Sequence, residues 1–168
     1  MPCEYEKYVK CYLTKKGILG DLNNHEWHSQ MKEVKSIFFS GNLYKCGCTV
    51  VVKRDSSSAT DYKAKIKKFF THDFGGKIRV FFSANYYLHL QDEVDNQQVD
   101  LVDKITGMNV ILNNRMFPFD FTCIRPIESI ICKFMKVSCS RRIGVQYSIA
   151  YTMEDLEARQ RVHFAIEE

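Results

Sequence analysis

The stretch TDYKAKIKKFFTHDFGG, Thr60 to Gly76, decides how the rest of the chain is read. Tyr62, Ile66, Phe69 and Phe70 stand at i, i+4, i+7 and i+8, which is the spacing of one helical face. Ser58 or Thr60 can cap the start, and Asp61 suits the first turn. The later lysines suit the negative end of the helix dipole, and Gly75-Gly76 stops the run. The expectation is an amphipathic helix whose oily stripe packs on a sheet. Lys63, Lys65, Lys67 and Lys68 then flank that stripe and face water.

Outward from this segment the pattern changes to strands. SIFFSGNLYKCGCTVVVKR alternates and is rich in β-branched and aromatic residues. It predicts strands at 36–40 and 43–53 with Gly41-Asn42 as a tight turn. KIRVFFSANYYLHL, Lys77 to Leu90, reads as one long strand or two. VDLVDKITGMNVIL reads as strand, turn and strand around Gly107. FPFDFTCI, SIICKFMKVSCS and RIGVQYSIAYTM supply three more strands. HLQDEVDNQQVD, His89 to Asp100, is the longest expected loop, and RDSSSATD is a Ser-rich loop before the helix cap. Residues 4–13 fit a short helix or a strand, and EDLEARQRVHFAIEE fits a closing helix.

The expected class is α+β. One twisted, mostly antiparallel sheet carries a packed helix after the first strand pair and a second helix at the C-terminus. A chain of 168 residues with 45% hydrophobic and 26% charged residues fits a single globular domain over 1–168. Residues 1–35 are an N-terminal extension in this reading, 36–153 the core, and 154–168 the C-terminal helix.

No apolar run of eighteen residues is present, so no membrane-spanning helix is expected. The N-terminus lacks a signal-peptide apolar core and a myristoylation glycine, and AIEE is no prenylation box. Seven irregularly spaced cysteines then read as reduced thiols in a cytosolic setting, with Cys132 packing as a small hydrophobe.

Catalytic signatures are missing. There is no G-x-S-x-G, P-loop or G-x-G-x-x-G, and DFGG lacks the other parts of a kinase. No local pattern makes any cysteine a nucleophile with a histidine base. His25 and His28 with Cys46 and Cys48 hold the donor types zinc takes, but CGC lacks the usual two-to-four-residue spacing. The carboxylates of QDEVDNQQVD match no calcium loop. The chain is therefore read as a non-enzyme with no cofactor and no metal.

Charge is more informative. Lys53 to Arg79 carries eight basic residues against three aspartates. Arg125 to Arg142 carries five against Glu128. His89 to Asp103 holds five carboxylates and no Lys or Arg. Lys63, Lys65, Lys67, Lys68, Arg141 and Arg142 are the candidate contacts for anionic lipid or ribonucleoprotein. Asp92, Glu93 and Asp95 are candidates to meet that basic surface on another copy. Met116, Phe117 and Phe119, around Pro118 in NRMFPFDF, are the candidate apolar self-contact.

The order of elements resembles one known family. LYKCGCTVVVKR leads through a polar loop into TDYKAKIKKFF, a glycine break, KIRVFFSANYYLHL, then IICKFMKV and RIGVQYSIAYTMED. Over Ser36 to Met153 this resembles rhabdovirus matrix proteins, and in size the plant-infecting, cytoplasm-replicating branch. The resemblance implies a structural protein that assembles with itself between a nucleocapsid and the inner leaflet of an anionic membrane. It also implies contact with the viral glycoprotein tail and a place in budding. Location would be the virion beneath the envelope, and host cytoplasm and membranes. Two family features are absent: a P-P-x-Y motif and a long lysine-rich arm. Two rival expectations use other chemistry. One is a small viral RNA-binding protein or silencing suppressor with the lysine helix on phosphates. The other is a β-sandwich capsid subunit, against which that helix argues.

Overall fold

The computed structural model describes residues 3–18, 30–54, 61–89, 91–94, 97–100, 110–116, 124–138 and 147–154. The segment Tyr62–Phe74 is a β-strand, not a helix. Among the described residues there are twelve strands and one helix longer than three residues, Cys3–Lys15. This overturns the α+β class and its helix after the first strand pair: the fold is mostly β. The expected C-terminal helix falls on residues that, beyond Glu154, lie outside the described ones.

Two physical facts explain the correction. Tyr62, Ala64 and Ile66 alternate with Lys63, Lys65 and Lys67, which is strand periodicity as well as a partial helical face. Gly75 and Gly76 both have positive φ, 62° and 70°, as a two-residue hairpin turn requires. They join this strand to its partner Lys77–His89 instead of ending a helix. A Cβ at Gly75 would meet nothing within 4 Å, so only backbone strain opposes a substitution there. Gly75→Val is expected to cost about 1–2 kcal/mol in a denaturant titration. Gly75→Asn, whose side chain tolerates this conformation, should cost clearly less. Equal losses would contradict the hairpin.

In chain order the strands are β1 Gln30–Val34, β2 Ser36–Phe39, β3 Asn42–Lys45, β4 Thr49–Val52, β5 Tyr62–Phe74 and β6 Lys77–His89. Then come β7 Gln91–Val94, β8 Gln97–Asp100, β9 Val110–Met116, β10 Ile124–Pro126, β11 Ile130–Ser138 and β12 Tyr147–Thr152. The helix Cys3–Lys15 is α1. Eight strands pair in the order β1-β5-β4-β11-β12-β9-β6-β10, and β5 also pairs with β6. That extra pairing closes a circuit through β5, β4, β11, β12, β9 and β6. Two hairpins stand apart from this sheet, β2–β3 and β7–β8. The second occupies the segment expected to be the longest loop.

By contact the chain divides into two units. Unit 1 comprises Met1–Gly47, Ile66–Ala84 and Phe119–Glu128; unit 2 comprises Cys48–Lys65, Asn85–Pro118 and Ser129–Glu168. In unit 1, Tyr5, Tyr8, Val9, Tyr12 and Leu13 form one helical stripe of α1. They pack with Phe70, Phe81, Ile124, Met31 and Phe74. Gly17, at φ 67°, ends α1: its N–H donates to the Thr14 carbonyl at 2.9 Å, and the Ile18 N–H donates to the Leu13 carbonyl at 3.0 Å. That is a Schellman closure.

Unit 2 has its own cluster of Val51, Tyr87, Ile111, Phe134 and Ala150, one residue from each of five strands. Thr49 Oγ1 donates to the Phe134 carbonyl at 2.5 Å, tying β4 to β11. Cys132, half-buried, packs against the same cluster.

His72 is fully buried in unit 1, its ring 6.2 Å from that of Phe74. Burial first, then the Arg79 charge, holds its imidazole below the usual range, against smaller opposing effects of Asp73 and Glu6. A depressed folded pKa means the unfolded chain takes up the proton first. Stability is therefore present above the ordinary histidine pKa of about 6.5 and lost as pH falls below it. The melting temperature should drop between about pH 7 and 5, and less steeply in His72→Leu. Parallel curves for the two proteins would remove His72 from the acid response.

Candidate interaction surface

β2 and β3 are joined by Ser40-Gly41, with φ of 48° and 78°. The turn thus lies one residue before the expected Gly41-Asn42, and β4 is a separate strand where 43–53 was expected to be continuous. The register sets Ser36 opposite Lys45, Ile37 opposite Tyr44, Phe38 opposite Leu43 and Phe39 opposite Asn42. Alternation puts Ser36, Phe38, Leu43 and Lys45 on one face and Ile37, Phe39, Asn42 and Tyr44 on the other. Tyr44 is buried at 2% exposure, so its face is the protein's side. Phe38 is 72% exposed and Leu43 44%, so an aromatic and an aliphatic side chain stand together in solvent. The Cys46 N–H donates to the Lys35 carbonyl at 3.3 Å, closing the base of the hairpin.

The units differ in charge. Unit 1 carries twelve Lys and Arg against eight Asp and Glu; unit 2 carries twelve against twelve. The formal +4 of the chain therefore belongs to unit 1. Between Val34 and Arg54 there is no carboxylate, and Lys35 and Lys45 flank the exposed apolar pair.

The four lysines expected on one basic helix lie on strand β5 instead and differ in exposure. Lys63 is buried at 6% exposure, directly opposite Val51 in the register of β4 with β5. Lys65 is exposed, opposite Thr49. Lys67 and Lys68 are exposed and belong to unit 1, whereas Lys63 and Lys65 belong to unit 2. Lys68 Nζ donates to Glu33 Oε2 at 3.0 Å, and this bond holds its ammonium above the ordinary lysine range. Being solvent-exposed, that pair adds little stability.

Asp92 and Glu93 lie on β7, opposite Val99 and Gln98 of β8. Met116 ends β9, with Tyr87 as its register partner. Asp95, Phe117, Phe119, Arg141 and Arg142 lie outside the described residues, as do His25 and His28. Cys46 is exposed and Cys48 half-buried. Among the described residues, no three His, Cys, Asp or Glu side chains gather as metal ligands.

Unit 2 exposes a different apolar set. Ile131, Met135 and Val137 of β11 are each about half exposed. Met135 lies opposite Tyr151 and Val137 opposite Ile149. Lys136 turns to the other side, its Nζ 4.8 Å from the centre of the Tyr87 ring.

Sequence reasoning missed both exposed apolar sets. In SIFF and in IICKFMKV each strand face holds apolar residues, so alternation alone does not say which face is wet. The arrangement can hold an acidic surface by charge and seat apolar side chains in it. No protein-family model matches the chain, and no curated protein matches it.

Proposed function

We propose that this chain is a non-enzymatic structural protein of the matrix type. It assembles with itself and bridges a viral ribonucleoprotein to an anionic membrane during particle assembly and budding. The observation that supports this reading most is the partition of charge and apolar surface. Unit 1 holds the whole formal positive charge and displays Phe38 and Leu43; unit 2 is formally neutral and displays Ile131, Met135 and Val137. A positive surface suits lipid head groups and nucleic-acid phosphates, and a neutral apolar face suits contact between copies. Tyr62–Phe74 is a strand and not a lysine-bearing helix, so the charged contact rests on unit 1 as a whole. Modest single contacts of this kind become effective when many copies act together.

The test is co-sedimentation of the full chain with vesicles. Binding to phosphatidylcholine containing about 30% phosphatidylserine, lost between about 0.05 and 0.5 M salt, is the expected result. Sedimentation velocity should show salt-sensitive self-association. A strict monomer at high concentration and low salt would overturn assembly. No binding to anionic vesicles would overturn the membrane role. If such a monomer bound duplex RNA with a steep salt slope, the RNA-binding reading would replace this one.

A further inference from the structure

We infer that the β2–β3 hairpin is the element that enters the membrane, with Phe38 and Leu43 seated among the acyl chains and Lys35 and Lys45 at the lipid phosphates. This rests on the membrane half of the function proposed above and names where in the chain it resides. The hairpin forms a two-stranded sheet of its own and takes no part in the eight-stranded order. One side is anchored, since Tyr44 is buried and Ile37 beside it is partly covered. The other side presents Phe38, the most exposed large apolar residue among those described, directly opposite Leu43.

A cation stands beside the apolar pair. Lys45 is on the same face as Leu43 and two residues further from the turn, roughly 7 Å along the strand. Amphipathic elements at membranes seat their apolar side chains about 5–10 Å into the head-group boundary. With Phe38 and Leu43 at that depth, Lys45 on the same face extends its flexible stem back to the phosphate layer, and Lys35 follows at the base of the hairpin. Charge selects the occupant. From Lys35 to Lys45 the hairpin holds lysines and no carboxylate, and Glu33 just before it is paired with Lys68, within a unit of net positive charge. A like face on a second copy is repelled, whereas an anionic leaflet is attracted. Leu43 offers no stacking plane for a nucleic-acid base, which sets the pair apart from the aromatic platforms of single-strand binders.

The experiment moves the fluorophore. Trp27 is the sole tryptophan, so the full chain carrying Trp27→Phe and Phe38→Trp reports from the hairpin alone. On vesicles containing phosphatidylserine, its emission should shift to the blue. Lipids brominated near the head-group end of the acyl chain should quench it. Pure phosphatidylcholine should do neither. In the otherwise native chain, Phe38→Ser with Leu43→Ser should lower vesicle partitioning about tenfold or more. The melting temperature should hold, because both side chains are already in solvent. Full vesicle binding with an unshifted, unquenched indole would overturn the hairpin assignment and leave the membrane role standing. Failure of the native chain to bind would overturn both. A blue shift that grows with protein concentration in the absence of lipid would give the face to a second copy and overturn the inference.

Discussion

Lys63→Glu is expected to destabilise the protein by roughly 3 kcal/mol or more, while Lys65→Glu stays within about 0.5 kcal/mol of the native chain. The two lysines are two residues apart on the same face of β5, and the sequence assigns them the same role. The fold separates them. Lys65 reaches solvent opposite Thr49, but Lys63 is 6% exposed opposite Val51, a member of the apolar cluster of unit 2. A carboxylate at position 63 loses its hydration, and the surroundings that accommodate an ammonium meet the opposite charge. Lys63→Met keeps the length of the side chain and removes the charge, so it should lie well above Lys63→Glu in stability. Thermal and urea unfolding of the three variants decides the matter. Equal losses for Lys63→Glu and Lys65→Glu would mean that Lys63 is not enclosed.

Phe81→Ala should cost about 3–5 kcal/mol, the range for removing a large aromatic side chain from a packed core. Phe81 is fully buried on β6 and is the hub of unit 1's aromatic packing. Its ring lies 5.3 Å from Tyr12, 5.7 Å from Phe70 and 6.3 Å from Tyr8, with the two tyrosines edge-on and Phe70 stacked. Truncation removes the surface on which α1 rests. The direct measurement is hydrogen exchange: amides of α1 should lose most of their protection. Phe81→Leu retains much of the volume and should cost distinctly less. If α1 keeps its protection in Phe81→Ala, the helix is held by other contacts and this account of unit 1 fails.

The positions of the two-residue turns were largely legible, because their requirement is local, but not their kind. Gly75-Gly76 reads as the stop of a helix and is a hairpin turn with both residues at positive φ, and the β2–β3 turn lies at Ser40-Gly41, one position before the expected one. The long strand Lys77–His89 was also legible: its aromatic and β-branched content leaves little else for it to be. In α1 the stripe from Tyr5 to Leu13 has helical spacing, but a segment so short reads both ways until Phe70 and Phe81 are known to cover it. The candidate surface was legible as charge and not as geometry. The basic excess is visible in composition, yet only the division into units assigns it to the unit that carries Phe38 and Leu43.

The segment Thr60 to Gly76 marks the boundary between the two kinds of information. By itself, the sequence determined that the element before Gly75-Gly76 must end there and that its residues have an oily side, since glycine geometry and residue polarity need no distant partner. Only the tertiary structure decided that those residues extend as β5, because the choice depends on β1, β4 and β6 arriving to satisfy their backbone groups. Tertiary structure likewise decided that Lys63 is enclosed and Phe38 exposed. Whether a strand face is wet is a property of what covers it, and nothing in the strand's own residues encodes the cover.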